Sequence, residues 1–358
     1  GDAENRTLWE QFLPHCQDEI NRVYSRLEVR FDHTLGESFY HSMLSTVVED
    51  LKQRGLATES DGAVCIFLDE FDAPMIIQKR DGAFLYATTD LATIQYRQKT
   101  FAPDEILYVV DARQSEHFDK LFAVAKKVGL TDAKLVHVKF GTVLGTDGRP
   151  MKTRSGSLIG LESLLDDAVN AAREVVCDPE RLAQFDPPML EDEREQISET
   201  VGIGAIKYAD LSHDRTSDYK FNLEKMVALS GNTSTYCQYS YARTVSIRKR
   251  VGVSDEEIGQ RVNDHGLSLS HDAERSLAIE LLRFEEALAS VYSDYAPNQL
   301  VDYVYCVSET FAKFNTQCHV LKAETKEAQT ARLALVQLTG NVIRRGLELL
   351  GIDVVERM

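Results

Sequence analysis

The sequence is 358 residues long, enough for two or three domains with a sizeable buried core. Its balance of 43% hydrophobic and 27% charged residues is that of an ordinary soluble globular protein; no apolar run approaches the roughly 20 residues of a membrane span, and GDAENRTLWEQF has no signal-peptide pattern. A net charge of −17 excludes a protein that coats nucleic acid by charge alone, though Lys and Arg concentrate locally at 149–154 (RPMKTR) and 243–250 (RTVSIRKR).

In chain order, apolar spacing predicts a helix over 7–30 with Thr7 as N-cap, then the polar stretch FDHTLGESFY, then a helix over 41–54 ended by Gly55. The period then shortens. VCIFL (64–68), MIIQ (75–78) and AFLY (83–86) read as strands. A helix from Thr89 to Lys99, a strand at 106–110, a helix at 115–127 stopped by Gly129 and a strand at 135–138 complete an alternating series. Such alternation predicts a parallel, doubly wound sheet. Beyond the Gly-rich, basic segment FGTVLGTDGRPMKTRSGSLIG the pattern is helical: 161–176, 190–210, 223–230, 232–250, 271–295, 298–315 and 324–350. CDPERLAQFDPP (177–188), with three prolines, marks a junction. The expected architecture is therefore α/β plus all-α, a partial doubly wound (Rossmann-like) parallel sheet followed by a helical bundle. The expected domains are 1–160, a connecting 161–188, and 189–358.

In open α/β sheets ligands sit beyond the carboxyl ends of the strands. Tyr86, Asp90 in the first turn of the next helix, and Gln114 fall there. A phenol, a carboxylate and an amide suit a cationic ligand rich in N–H donors, and a carboxylate prefers the planar fork of a guanidinium. The plainer alternative makes Asp90 a helix-dipole acid and Tyr86 a packing residue. Glu37 is a second carboxylate for the same crevice, or a solvated acid at a helix start. The segment 139–160 sets Arg149, Lys152 and Arg154 among five glycines, as a phosphate-contacting loop requires, although a plain solvated loop has the same composition. In NTSTYCQYSYARTVSIRKR, tyrosines interleave with cations over a few helical turns. That suits base stacking and phosphate contact, or else an amphipathic helix whose tyrosines build a core. Six cysteines at 16, 65, 177, 237, 306 and 318 show no CxxC pair and no histidine at metal-ligand spacing. Free thiols in a reducing, cytoplasmic compartment, and no bound metal, are expected.

Five ordered segments, FDHTLGESFY, DGAFLYATTDLATIQYR, ILYVVDARQSEHF, HVKFGTVLGTDGRPMKTRSG and NTSTYCQYSYARTVSI, resemble the arginyl-tRNA synthetase family along essentially the whole chain. The resemblance implies that Tyr86, Asp90 and Gln114 hold arginine, with Glu37 as a further contact. It implies that His117, Val138, Phe140 and Gly141 border ATP, and that Lys152 and Arg154, in a degenerate form of the class I KMSKS loop, touch phosphate. It makes the helical part a DALR-type anticodon-binding bundle in which Asn232, Tyr236, Gln238, Tyr239, Arg243 and Met358 meet tRNA. The implied reaction is activation of L-arginine by ATP with Mg2+ and transfer to tRNA-Arg, by an expected monomer that engages neither membrane nor DNA.

The sequence departs from the family in one respect. No His-x-Gly-His motif occurs, and the α/β part reads as a second half without its first strand. The expectation is a portion of a longer enzyme, inactive alone. A non-catalytic tRNA-binding paralogue is the alternative. A cysteinyl-tRNA synthetase is a further one, but it would bring a zinc-binding Cys/His set not found here.

Overall fold

A computed structural model describes residues 2–145, 147–149 and 160–358. The chain forms two compact units, one from residues 31–142 and one from residues 1–30 together with 143–358.

The 31–142 unit is the α/β one. A 3-10 helix, Glu37–Met43, runs into α2 (Leu44–Gln53; α1 belongs to the other unit), and Gly55 ends it with φ +68°. β1 (Thr58–Ser60), β2 (Ala63–Ile66) and β3 (Met75–Gln78) form an antiparallel meander in the order β1-β2-β3. The first turn is Asp61–Gly62, both at positive φ, with Ser60 paired to Ala63. An Asp-Gly pair in that conformation closes a two-residue hairpin whose twist matches its strands. The 83–86 run is not a strand. Phe84 makes one antiparallel bridge to Gln78, and Tyr86 already opens α3 (Tyr86–Phe101). Parallel pairing is found between β4 (Glu105–Asp111) and β5 (Lys134–Phe140), from Glu105↔Lys134 to Asp111↔Phe140, joined through α4 (Ser115–Val128). The expected parallel sheet is present as β4 and β5, a β–α–β unit, whereas the strand runs before α3 belong to an antiparallel meander. Ile66, Ile77, Leu91, Ile94, Leu121 and Val124, each fully buried, come from both halves into one core.

The other unit is helical. α1 (Ala3–Arg26) starts earlier than expected, because Asp2 rather than Thr7 caps it. Thr7 is inside the helix, its hydroxyl donating to the Ala3 carbonyl. Arg26 ties α1 to Asp166 and Glu199. Two residues of β6 (Val143–Leu144) pair in parallel with β7 (Tyr219–Lys220). α5 (Leu161–Val176), the short α6 (Pro179–Leu182) and α7 (Glu191–Leu211) follow. α5 and α7 cross at Gly202, where a Cβ would lie 2.6 Å from the Val169 backbone. After the single turn α8 (Leu223–Met226) come α9 (Ser234–Val251), α10 (Asp255–His265), α11 (Asp272–Leu282), α12 (Phe284–Asp294), α13 (Pro297–Gln317) and α14 (Lys326–Leu349). The helix expected over 271–295 is two helices that meet at Arg283. Phe311, Phe314, Val304, Leu335 and Ile343 fill the bundle core.

Candidate functional site

In the α/β unit, the turn before α3 and the 3-10 helix line an open cleft of about 600 Å³ with Glu37, Ser38, His41, Phe84, Tyr86 and Thr89. Tyr86, the first residue of α3, is 62% exposed and stands over this cleft. Asp90 lies one turn further along, in the second turn of α3 and not the first. Its Oδ2 is 2.6 Å from His117 Nε2, on the first turn of α4. The Tyr86 ring meets the same imidazole edge-on at 4.7 Å. Tyr86, Asp90 and His117 therefore form one contiguous group, with Glu37 on the cleft that Tyr86 borders.

The charge at Asp90 is felt by its surroundings. On β4, burial pushes the Tyr108 hydroxyl up to about 12; Arg97 opposes that shift and the Asp90 carboxylate reinforces it. Gln114 is exposed, ends a short 3-10 turn after β4, and precedes His117 by three residues. Its amide makes no side-chain hydrogen bond among the described residues. Beside it, hydrogen bonds from the Arg113 guanidinium and backbone N–H hold the Asp111 carboxyl down at about 2. Asp111 is thereby committed to shaping the turn that presents Gln114. On β5, Val138 is half-buried and Phe140 exposed, with Gly141 just beyond. His137 in the same strand faces the Val110 carbonyl at 3.0 Å. Lys152 and Arg154 lie outside the described residues. His41, Ser38 and Thr89 were not anticipated; only their neighbourhood to Glu37 and Tyr86 in sequence hints at them.

In the helical unit, Tyr236, Tyr239 and Arg243 recur at helical spacing along the outer side of α9, and the exposed Asn232 stands just before its N-cap, Thr233. Tyr239 lies between two guanidiniums, Arg243 at 5.2 Å and Arg181 of α6 at 5.8 Å from its ring centroid. Tyr236 is half-buried beside Tyr305. The exposed Asn232 amide is braced, its oxygen accepting from the Tyr208 hydroxyl and its nitrogen donating to Asp302. Gln238 is a correction. It is fully buried against Gly204, and its amide nitrogen donates to the Asp353 carbonyl at 2.7 Å, so it holds the 351–358 tail rather than facing an RNA. Met358 is half-buried against the cluster of Ala172, Val176, Met189 and Val355.

A β–α–β unit with the Asp90 carboxylate on the helix before it, and a helical bundle that displays an aromatic–cationic helix, agree with a class I synthetase catalytic domain joined to an anticodon-binding domain. Residues 1–223 match the family described as tRNA synthetases class I (R), catalytic domain, and residues 237–358 match the DALR anticodon binding domain. The chain belongs to the arginyl-tRNA synthetase family. The arginine–tRNA ligase of Rhodopirellula baltica is 63% identical over 364 residues, covering 100% of this chain and 54% of that protein. That of Yersinia enterocolitica is 40% identical over 368 residues, covering 100% and 62%. The arginyl-tRNA synthetase structure from Plasmodium falciparum superposes with a TM-score of 0.86 at 30% identity, covering 100% of this chain and 60% of that one. The Thermus thermophilus enzyme, at 23% identity and a TM-score of 0.81 over 96% and 64%, shares the fold. The chain thus spans between about half and two thirds of the length of these relatives.

Proposed function

We propose that this chain supplies the arginine-recognising and tRNA-binding parts of an arginine–tRNA ligase, which joins L-arginine to tRNA-Arg at the expense of ATP. The observation that carries the reading is Asp90, a part-buried carboxylate one helical turn from the exposed Tyr86, which borders the cleft that holds Glu37. A guanidinium offers parallel N–H donors that a carboxylate accepts in pairs, while an ammonium is a point charge that gains less from the same geometry. Gln114, exposed and uncommitted, would complete the polar set.

In the first step the arginine carboxylate attacks the α-phosphate of Mg-ATP and pyrophosphate leaves; in the second the terminal adenosine of the tRNA takes the arginyl group. The contribution of these residues is positioning and charge complementarity. Val138, Phe140 and Gly141 would border the nucleotide, and Lys152 and Arg154 would meet its phosphates. Mg2+ enters with the nucleotide; among the described residues no His, Cys, Asp or Glu cluster of three could hold a metal. The face of Asn232, Tyr236, Tyr239 and Arg243 would meet tRNA, with Met358 nearby in sequence to the tail that Gln238 holds. The functional division is proposed at 1–160, 161–188 and 189–358, in a cytoplasmic monomer that binds no DNA; among the described residues no helix is long and apolar enough to cross a membrane.

Calorimetric titration of the chain with L-arginine, agmatine, L-lysine and L-citrulline tests the reading. Binding of the two guanidinium compounds ahead of lysine and citrulline is expected. Equal affinity for lysine and arginine, or no affinity for either, removes the guanidinium assignment.

A further inference from the structure

We infer that His117 is a positioning residue for guanidinium recognition: it fixes the Asp90 carboxylate so that one oxygen is presented to the ligand. The inference rests on the reading of this group as an arginine site and assigns the imidazole a place in it.

The geometry is specific. An ionised carboxylate only accepts hydrogen bonds, so the 2.6 Å contact between Asp90 Oδ2 and His117 Nε2 requires the proton on Nε2. The imidazole has little freedom to turn away. Its side chain is 13% exposed, with Tyr86 at 4.7 Å and Phe118 at 5.2 Å from its ring. Phe118 is itself buried in the core that α4 shares with β4. Asp90, in contrast, is 30% exposed on a helix surface, where an aspartate would otherwise sample several rotamers. The bond to His117 selects one of them. Oδ1 accepts no hydrogen bond among the described residues and remains available.

The same imidazole also sets the second recognition element. Because Tyr86 packs against it edge-on, Asp90 and Tyr86, one helical turn apart, share a single support. A binding site is selective when its contacting groups are held by neighbours before the ligand arrives.

The experiment is calorimetric titration of the full chain with L-arginine and agmatine, in the wild type and in His117→Ala, His117→Gln and Asp90→Asn, with melting temperature and tRNA affinity measured on each. In His117→Ala, arginine and agmatine affinity should fall about tenfold, the lower range for loss of a group that orients a ligating side chain. His117→Gln, whose amide can place an N–H near the Nε2 position, should restore most of that loss. tRNA affinity should be unchanged in both. Wild-type affinity in His117→Ala overturns the inference, as does tighter binding, which would make the imidazole a competitor for Asp90. A loss that Gln does not restore, accompanied by a lower melting temperature, assigns His117 to packing and also overturns it. Absence of arginine binding in the wild type, or its persistence in Asp90→Asn, defeats instead the guanidinium reading on which the inference stands.

Discussion

At the residue scale two carboxylates show how position decides role. Asp90 is part-exposed, with one oxygen uncommitted, whereas Glu274 is 1% exposed and wholly engaged. Glu274 accepts from Arg332 at 2.8 Å and from the backbone N–H groups of Ser270 and His271. Burial pushes its carboxyl up, but Arg332 and these N–H groups outweigh that and hold it below its ordinary 4.5. In the unfolded chain it recovers the ordinary value. The pair's contribution to stability is therefore complete above about pH 4.5 and is lost as pH falls through the lower folded value. Thermal melts from pH 6 to pH 3 should show a slope that Glu274→Gln flattens. Arg332→Met alone should cost about 3–5 kcal/mol near neutral pH, because it strands a buried charge, and adding Glu274→Gln should recover much of it. For Asp90 the expected loss is in ligand binding. Asp90→Asn should weaken arginine binding by roughly 3 kcal/mol, more than a hundredfold, with little change in melting temperature. An unchanged arginine isotherm would return Asp90 to the part of a helix-dipole acid.

At the scale of elements, the division within α9 separates the two readings that its sequence allowed. Cys237, Tyr241 and Val245 are buried in the bundle, while Tyr239 and Arg243 turn outward. Tyr239→Ala should weaken tRNA binding by about 1–3 kcal/mol if a base stacks there, and Arg243→Gln should flatten the salt dependence. Gln238→Ala should do the reverse, lowering the melting temperature and sparing affinity, because its amide holds the Asp353 carbonyl. Filter binding at several salt concentrations, beside melting curves, checks all three. The outward stripe was legible from helical spacing, but the burial of Gln238 was not, since a polar side chain on a tyrosine-rich helix gives no sign of a distant carbonyl partner.

The same limit explains the strands. β4, α4 and β5 were legible because apolar runs alternate there with a capped amphipathic helix ended by Gly129. The meander was misread because short apolar runs carry no direction; Asp61–Gly62, the hairpin signal, was the residue-level sign of antiparallel pairing. α10 was missed for its polarity, although Ser254 and Glu257 form a capping box that announces its start. Of the candidate site, the common cleft of Glu37 and Tyr86 was legible in the sequence as a shared crevice. The bond from Asp90 to His117 was not, because it joins residues 27 apart in the chain through the packing of α3 on α4.

At the scale of the whole molecule, residues 31–142 are nested between two stretches that belong to the other unit. On the ribosome this order has a kinetic consequence. Translation proceeds at about 5–20 residues per second, and domains fold as they emerge. The nested unit has its own core and can fold as soon as it is out. α1 has to wait, because Asp166 and Glu199, which anchor Arg26, are made 140 and 173 residues later. That is a delay of roughly 7–35 s, during which α1 lacks the ion pairs from Arg26 to Asp166 and Glu199. Nascent chains stalled soon after residue 142 has emerged should resist protease across the nested unit and be cut within residues 1–30. Chains released at full length should be protected in both.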